Sequence, residues 1–452
     1  MSLKKKPRKK NKKNKILAKN NSSVLKKRGF QAVRGMHDLL AKDWLYYEWI
    51  YNNAKKILEF GGFSRIETPI LERADLFMEG VGKNTDLAGK EMYFLKTKEE
   101  KELLALRPEG TASLARAYLE NGMVNLPQPI KLYYFGPFFR HEKPQAGRYR
   151  QFYQLGAEII GEGDFSSDVS IILIAKQILE ALGFSWKNIR LSLNSIGCQK
   201  CRPNYLRALK KHYRFYKKKI CSNCSLRLKN NPLRVLDCKD EKCLEVKNSV
   251  PPFLDYLCDD CRSHFKGVLE LLDYLEIPYF LDKTLVRGFD YYTKTVFEFY
   301  LENEEKNLAL AGGGRYDRLV ELLGGPKRPA IGMAFGVDRL VEELKKKGKI
   351  LKLPQPKVFL VQIGEMAKKQ SFKLLEKFRE ENIAIGESLG KESLGSQLNT
   401  ANKLGIKYTL IFGQQEVLDG MVILKDMDSG IQETIPLDKI VEEVKKRLKQ
   451  NQ

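Results

Sequence analysis

Cysteine is absent from residues 1–197 and from residues 262–452, and acidic residues are absent from residues 1–28. No uninterrupted apolar run approaches the ~20 residues needed to span a bilayer. No apolar stretch follows the basic N-terminus, so no secretory leader is expected. The Walker lysine loop and the three-glycine dinucleotide fingerprint are both missing, so any nucleotide site must be built another way. Internal repeats are missing too. The chain has only 4 histidines (His37, His141, His212, His264), and they form no ligand-like cluster. These absences argue against a membrane, secreted or solenoid protein. What is present is a globular balance, 43% apolar and 30% charged over 452 residues, enough to bury a core. At ~100–200 residues per domain, two to four domains are expected.

The net charge of +24 is concentrated in two places. Residues 1–28 carry 13 Lys and Arg and no acid, and residues 196–262 carry 16 basic and 7 acidic residues. The rest of the chain is close to neutral. Two focused positive regions on a neutral body point to a polyanionic partner, most simply nucleic acid. For the tail, a solubilising segment is an equal alternative. A transit peptide is a third, although such peptides are Arg- and Ser-rich and this one is Lys- and Asn-rich. Residues 1–27 are expected to be disordered, because they cannot bury enough apolar surface to offset ordering.

All 8 cysteines fall between positions 198 and 261 as Cys198/Cys201, Cys221/Cys224, Cys238/Cys243 and Cys258/Cys261. A disulfide scaffold needs an oxidising compartment, and nothing here directs the chain to one. Turns with two residues between cysteines aim two thiolates at one tetrahedral centre, which suits structural Zn²⁺. Four pairs supply two four-cysteine sites, or one site with spare thiols.

Periodicity predicts a helix over 43–60, stopped by Gly61 and Gly62, then a strand over 63–70 with Pro69 near its end. An aromatic-rich strand over 131–139 is expected to pair antiparallel with 149–160. A helix over 167–182 and a strand over 189–194 follow. Strand signals resume at 279–281, 296–300, 308–311 and 332–335, the last leading into a helix over 337–345. Residues 348–356 read as a linker. Beyond it, strands at 358–363, 384–388, 408–412 and 421–426 alternate with helices at 367–381, 394–404 and 437–449. That alternation predicts a compact α/β domain.

Three segments place arginines and carboxylates at strand ends and loops, where a core would not want them. They are Arg107-Pro108-Glu109-Gly110-Thr111; Phe139-Arg140-His141-Glu142, leading through Arg148 and Arg150 to Gln154 and Glu158; and Arg287-Gly288-Phe289-Asp290-Tyr291-Tyr292 with Gly312-Gly313-Gly314-Arg315 and Asp338-Arg339. Arg140, Arg287 and Arg339 are candidates for phosphate oxygens, because guanidinium forks match that geometry and keep their charge. Glu109 and Glu158 are candidates for a cationic or hydrogen-bonding ligand group. Gln154 and Glu158 stand four apart on one strand and so share a face.

These motifs, in this order, resemble those of the class II aminoacyl-tRNA synthetases. The segments at 107–111, 148–151 and 285–292, with Asn231-Pro232-Leu233-Arg234-Val235-Leu236-Asp237, resemble the histidyl-tRNA synthetase family in particular. The resemblance runs from about Arg34 to the C-terminus. It implies an α+β fold: an antiparallel six-stranded catalytic sheet with helices, an inserted domain (here Cys-rich and helical), and a C-terminal α/β anticodon-binding domain. The implied organisation is a tail at 1–27, catalytic core at 28–195 and 263–347, the insertion at 196–262, the linker at 348–356 and the anticodon-binding domain at 357–452. The implied activity is ATP-dependent ligation of L-histidine to its tRNA through a histidyl-adenylate, with Mg²⁺ accompanying ATP, by a cytoplasmic homodimer with no membrane partner.

Carried over by position, Arg140 and Arg287 resemble the two catalytic arginines on the α-phosphate, and Arg339 the one on the γ-phosphate. Glu142 resembles the glutamate near the adenine. Glu109, Gly110, Thr111 and Gln154 would line the site of the substrate amino group. Glu158 and Tyr292 would hold the imidazole nitrogens, with Tyr291 beside them. Arg148 and Arg150 would meet the tRNA acceptor end. Tyr153 and Phe289 stand where the family often has histidine and leucine. The zinc expectation rests on cysteine spacing alone. The rival reading is a catalytically inactive paralogue, the regulatory subunit of ATP phosphoribosyltransferase. Such a paralogue lacks the anticodon domain and loses catalytic arginines, whereas this chain retains all of them.

Overall fold

The computed structural model describes residues 30–82, 85, 87–96, 102–144, 147–302, 308–391 and 393–450. The tail at 1–27, for which disorder is expected, lies outside the described residues. The chain divides into two compact units, Met1–Leu351 and Lys352–Gln452. No described helix is long and apolar enough to cross a membrane.

The strands of the first unit are β1 (Ser64–Arg65), β2 (Leu71–Arg73), β3 (Phe94–Lys96), β4 (Leu103–Leu106), β5 (Ile130–Phe139), β6 (Gln151–Ile160), β7 (Ile189–Ser195), β8 (Phe280–Leu281), β9 (Thr293–Leu301), β10 (Leu308–Arg315) and β11 (Ala330–Gly336). The large sheet has the order β1-β5-β6-β11-β10-β9-β7-β8. Its six central strands, β5 to β7 in that order, are antiparallel throughout. The short edge strands β1 and β8 pair parallel to β5 and β7. The expected six-stranded antiparallel sheet is therefore present, flanked by two parallel edges of two residues each. A separate small sheet has the order β2-β4-β3.

Alternation along the strands separates the two faces of the large sheet. Leu155, Ala157 and Ile159 of β6 and Phe297 and Phe299 of β9 join one core. Helices Ala41–Phe60, Ser166–Ala181 and Asp259–Tyr274 cover that side through Ile50, Leu58, Ile171, Ile178 and Val268. The intervening residues Gln154, Gly156, Glu158 and Glu298 face the other way.

Two expectations change in extent. The strand expected over 63–70 survives only as β1 and then β2. Pro69 has no N–H for a ladder, and the Thr68 carbonyl accepts instead from Arg107 Nη1 at 2.6 Å. Conversely, β10 does not stop at Ala311 but continues through the three glycines to Arg315. A Cβ on Gly313 would lie 2.1 Å from the Gly332 carbonyl oxygen, and one on Gly312 would lie 2.5 Å from Arg287 Nη1. Strand pairing is possible there because side chains are missing.

The cysteine-rich stretch folds as helices Arg202–Phe215, Ser222–Asn230 and Glu241–Asn248 joined by short turns, and returns through Asp259–Tyr274. The second unit holds β12 (Val358–Gln362), β13 (Ile385–Glu387), β14 (Tyr408–Phe412), β15 (Met421–Asp426) and β16 (Gln432–Pro436), in the order β13-β12-β14-β15-β16. Helices Glu365–Glu380, Leu394–Lys403 and Ile440–Gln450 alternate with them, as expected for an α/β domain. The expectation missed β16. It is a solvent-facing edge strand with a polar sequence, so it carries no hydrophobic alternation.

Candidate active site

The centre of the site is Glu158, near the C-terminal end of β6 and 1% exposed. Its Oε1 accepts from the Thr111 hydroxyl at 2.8 Å, and its Oε2 accepts from the Tyr316 hydroxyl at 2.7 Å. The neighbouring strand makes room for it: a Cβ on Gly332, its register partner in β11, would stand 1.4 Å from Glu158 Oε2. Burial pushes the Glu158 carboxyl up to about 8. The two hydroxyl donors oppose that shift, and the charge of Glu109 adds to it.

Glu109 is buried too, and burial likewise raises its pKa. Its carboxylate accepts the backbone N–H groups of Thr111 and Ala112, both at 2.8 Å. These are the first residues of helix Thr111–Glu120, so an acid just before the helix satisfies donors left over at its start. Gly110 sits between them. The Tyr291 hydroxyl donates to Glu109 Oε2 at 3.3 Å. Tyr134 fills a slot opened by two glycines, since a Cβ on Gly110 or Gly156 would fall 2.4 or 2.2 Å from its ring. Gln154, on the same face of β6 as Glu158, has a buried Oε1 with no hydrogen-bond partner. A buried amide oxygen left unpaired invites a ligand donor.

The arginines surround this polar centre. Arg140 donates through Nε to the Pro108 carbonyl at 2.8 Å. Its guanidinium lies 5.2 Å from the Phe152 ring and 5.6 Å from the Phe289 ring. The two aromatic faces hold the cation in place. Arg287 donates to Glu298 and lies 5.6 Å from the Tyr292 ring, while its buried Nε has no partner. Arg339, on helix Val337–Lys346, donates to the carbonyls of Ala309 at 2.7 Å and Gly147 at 3.2 Å. Glu142 lies 3.9 Å from Arg140 and 3.4 Å from Arg148. Arg150 is tied to backbone, donating to the carbonyls of Glu142 and Arg34.

Two arginines from the same motifs lie apart from the site. Arg107 is buried and donates to the carbonyls of Pro137 and Thr68. Arg315 is fully buried against Asp168, Asp317 and Ser167. Sequence reasoning left Tyr134, Tyr316 and Glu298 out of the site. The only signal for them was their alternation with the core-facing residues of β5 and β9 and, for Tyr316, its place after the glycine run.

The cysteines gather into two groups of four, Cys198/Cys201/Cys258/Cys261 and Cys221/Cys224/Cys238/Cys243. In each group all ligand atoms lie within 4.8 Å of one another. Sγ separations are 3.7 Å for Cys198–Cys201 and 3.8 Å for both Cys198–Cys258 and Cys221–Cys238. Backbone N–H groups of Cys258, Cys221 and Cys224 donate to the sulfurs of Cys201, Cys243 and Cys221. Of the two arrangements left open by spacing, the structure has two four-cysteine groups. The second group borders a cavity of about 340 Å³ that Arg148, Arg227 and Lys239 also line.

A family description for histidyl-tRNA synthetase matches residues 35–200 and 241–340. The chain belongs to the histidyl-tRNA synthetase family. An anticodon-binding-domain description matches residues 357–447. Among the relatives of this family, the histidine--tRNA ligase of Dehalococcoides mccartyi is 43% identical over 93% of this chain and 100% of its own length. That of Desulforamulus reducens is 39% identical over 92% of this chain and 98% of its own. The crystal structure of apo histidyl-tRNA synthetase from S. aureus superposes with a TM-score of 0.74 at 34% identity, covering 92% of this chain and 100% of that one.

The buried carboxyl of Glu158 gives a pH signature. A free glutamate titrates near ~4.3. With the folded-state value at about 8, the native protein binds more protons than the unfolded chain between those limits. Stability therefore falls as pH rises through that window. The isosteric Glu158→Gln substitution removes the titration. Its melting temperature relative to the parent should rise by ~2 °C or more between pH 5 and pH 8. Calorimetry across that range checks it, and a constant difference would show that Glu158 is ionised throughout.

Proposed function

We propose that this chain activates L-histidine with ATP and transfers the histidyl group to its tRNA. The observation that carries this reading is the linked set Glu109, Thr111, Glu158 and Tyr291, ringed by Arg140, Arg287 and Arg339. The rival regulatory reading is disfavoured by the anticodon-binding domain at 357–447 and by the retained arginines. In the first step the histidine carboxylate attacks the α-phosphorus of ATP. A carboxylate–phosphorus bond forms, the bond to the leaving phosphate breaks, and pyrophosphate departs. The carboxylate is already a nucleophile, so no general base is required. In the second step the terminal ribose hydroxyl of the tRNA attacks the carbonyl, and AMP leaves.

Arg140 and Arg287 are suited to neutralise charge growing on the α-phosphate from two sides, which is electrostatic and positional catalysis. Arg339 would meet the γ-phosphate and Glu142 the adenine, with Mg²⁺ carried on the nucleotide. Gln154, Glu109 and Thr111 suit the substrate ammonium. Glu158 and Tyr292 offer an acceptor and a phenol to the two imidazole nitrogens, with Tyr291 beside them. A site built on such groups rejects analogues that leave them unpaired. Arg148 and Arg150 would meet the tRNA acceptor end.

The cysteine groups fit zinc. Four sulfurs each ~2.3 Å from one tetrahedral centre stand ~3.8 Å apart, the spacing seen here. Work in the cytoplasm suits the zinc reading, because thiols stay reduced there and available as ligands. Homodimer formation is supported by the small sheet β2-β4-β3, whose face opposite the buried Ala105 exposes Leu71 and Leu95.

Arg287→Ala should lower kcat for histidine-dependent pyrophosphate exchange by ~100-fold or more while changing histidine binding little. Arg287→Lys should also be poor, because a point charge does not replace the fork. Near-normal exchange in either variant would remove Arg287 from the chemistry. Leu95→Glu should convert dimer to monomer in sedimentation; an unchanged mass would place the interface elsewhere. Elemental analysis of protein purified without chelator should find about two zinc ions per chain, and less than one would count against the zinc reading.

A further inference from the structure

Two side chains fasten the insertion to the segment 285–292, and each is bracketed by one cysteine group. Arg202 directly follows Cys201, and its Nη2 donates to the carbonyl oxygen of Tyr292 at 2.6 Å. Asn231 lies between Cys224 and Cys238, and its Nδ2 donates to Asp290 Oδ1 at 2.7 Å. The segment held in this way carries Arg287, Tyr291 and Tyr292. From its other side it is held by the Asp290 N–H on the Val81 carbonyl and by Asn194 Nδ2 on the Leu285 carbonyl, both at 2.9 Å. The Arg202 contact is charge-assisted and partly buried. Its acceptor belongs to the peptide that positions the Tyr292 phenol.

The first cysteine group stands at the neck of the insertion. Cys198 and Cys201 lie where the chain has just left β7, and Cys258 and Cys261 lie where it enters helix Asp259–Tyr274 on its return. A metal there would close the whole excursion, whose two sides are 57 residues apart at Cys201 and Cys258. Without it, the start of helix Arg202–Phe215 would be set only by weaker local contacts. A hydrogen bond at 2.6 Å tolerates little displacement.

We propose that Arg202 is a positioning residue for the histidine substrate, set on the Tyr292 carbonyl by zinc in the Cys198/Cys201/Cys258/Cys261 group. Zinc occupancy of the neck is thereby linked to histidine affinity. This inference rests on the zinc reading above and on the assignment of Tyr292 to the imidazole. Arg140, Glu142 and Arg339, assigned to bound ATP, lie on the segment after β5 and on helix Val337–Lys346, outside the held segment, so KM for ATP should be spared; Arg287, inside it, is assigned to the transition state.

The test uses the full chain in pyrophosphate exchange, with histidine and ATP titrated separately and zinc counted on the same preparations. Arg202→Met should keep its full zinc, raise KM for histidine about tenfold, and leave KM for ATP within about twofold. Arg202→Lys, which restores a cationic donor, should recover part of the loss. Cys198→Ser should lose about one zinc per chain and show the same histidine-selective rise. An unchanged histidine KM in Arg202→Met at full zinc overturns the positioning assignment while leaving the zinc reading intact. Equal rises in both KM values also overturn it, because they report general damage. A parent chain without zinc overturns the metal linkage. In that case, or if Cys198→Ser does not fold, the Arg202 pair still decides the positioning claim.

Discussion

One buried carboxyl group organises the face of the sheet that carries the site. Glu158 is almost completely withdrawn from water, and an unpaired charge there would be very costly. The surrounding residues lower that cost in three ways. Thr111 and Tyr316 each give it a hydroxyl donor, Gly332 leaves space where any side chain would collide, and burial raises its pKa, favouring the neutral form. Thr111 is itself placed by Glu109, whose carboxylate caps the helix that Thr111 begins. The second buried acid thus does two things at once: it starts a helix, and it sets the donor that satisfies the first.

The glycines follow from the same constraint. Gly110 and Gly156 admit the Tyr134 ring, Gly312 admits the Arg287 guanidinium, and Gly332 admits Glu158. None of these is a turn. Each is a strand or helix-start position where a bulky polar group from a neighbouring element occupies the place of a Cβ. The glycine-rich strand β10 is therefore a packing surface for the site, with its conformation set by its neighbours in the sheet.

The arginines divide by what surrounds them. Arg107 and Arg315 spend their donors on carbonyls and carboxylates within the fold. Arg140 and Arg287 lie against aromatic rings, and Arg287 retains an unpartnered buried nitrogen. In the sequence these four look alike: each has a carboxylate two or three residues further on. Only the positions of Thr68, Asp168 and Phe152, all distant along the chain, separate the structural pair from the pair suited to a phosphate.

Much of this protein was legible from residue order alone, because local chemistry writes it there. The alternation in β5 and β6 reports a sheet with one apolar face, the 3.6-residue period reports the covering helices, and the motifs report the family. The same locality defined three of the cysteine pairs, since two residues between thiols aim them together; Cys238 and Cys243 have four between them. What only the tertiary structure decided is which distant partners meet. Cys198 and Cys201 join Cys258 and Cys261 because the chain leaves and re-enters the catalytic unit at one place. Tyr316 reaches Glu158 because β10 and β6 are brought together on either side of β11. β16 escaped notice because a solvated edge strand buries neither face and so leaves no periodic mark. Patterns in sequence record the burial of a residue's own side chain; they do not record the identity of the group that will lie against it.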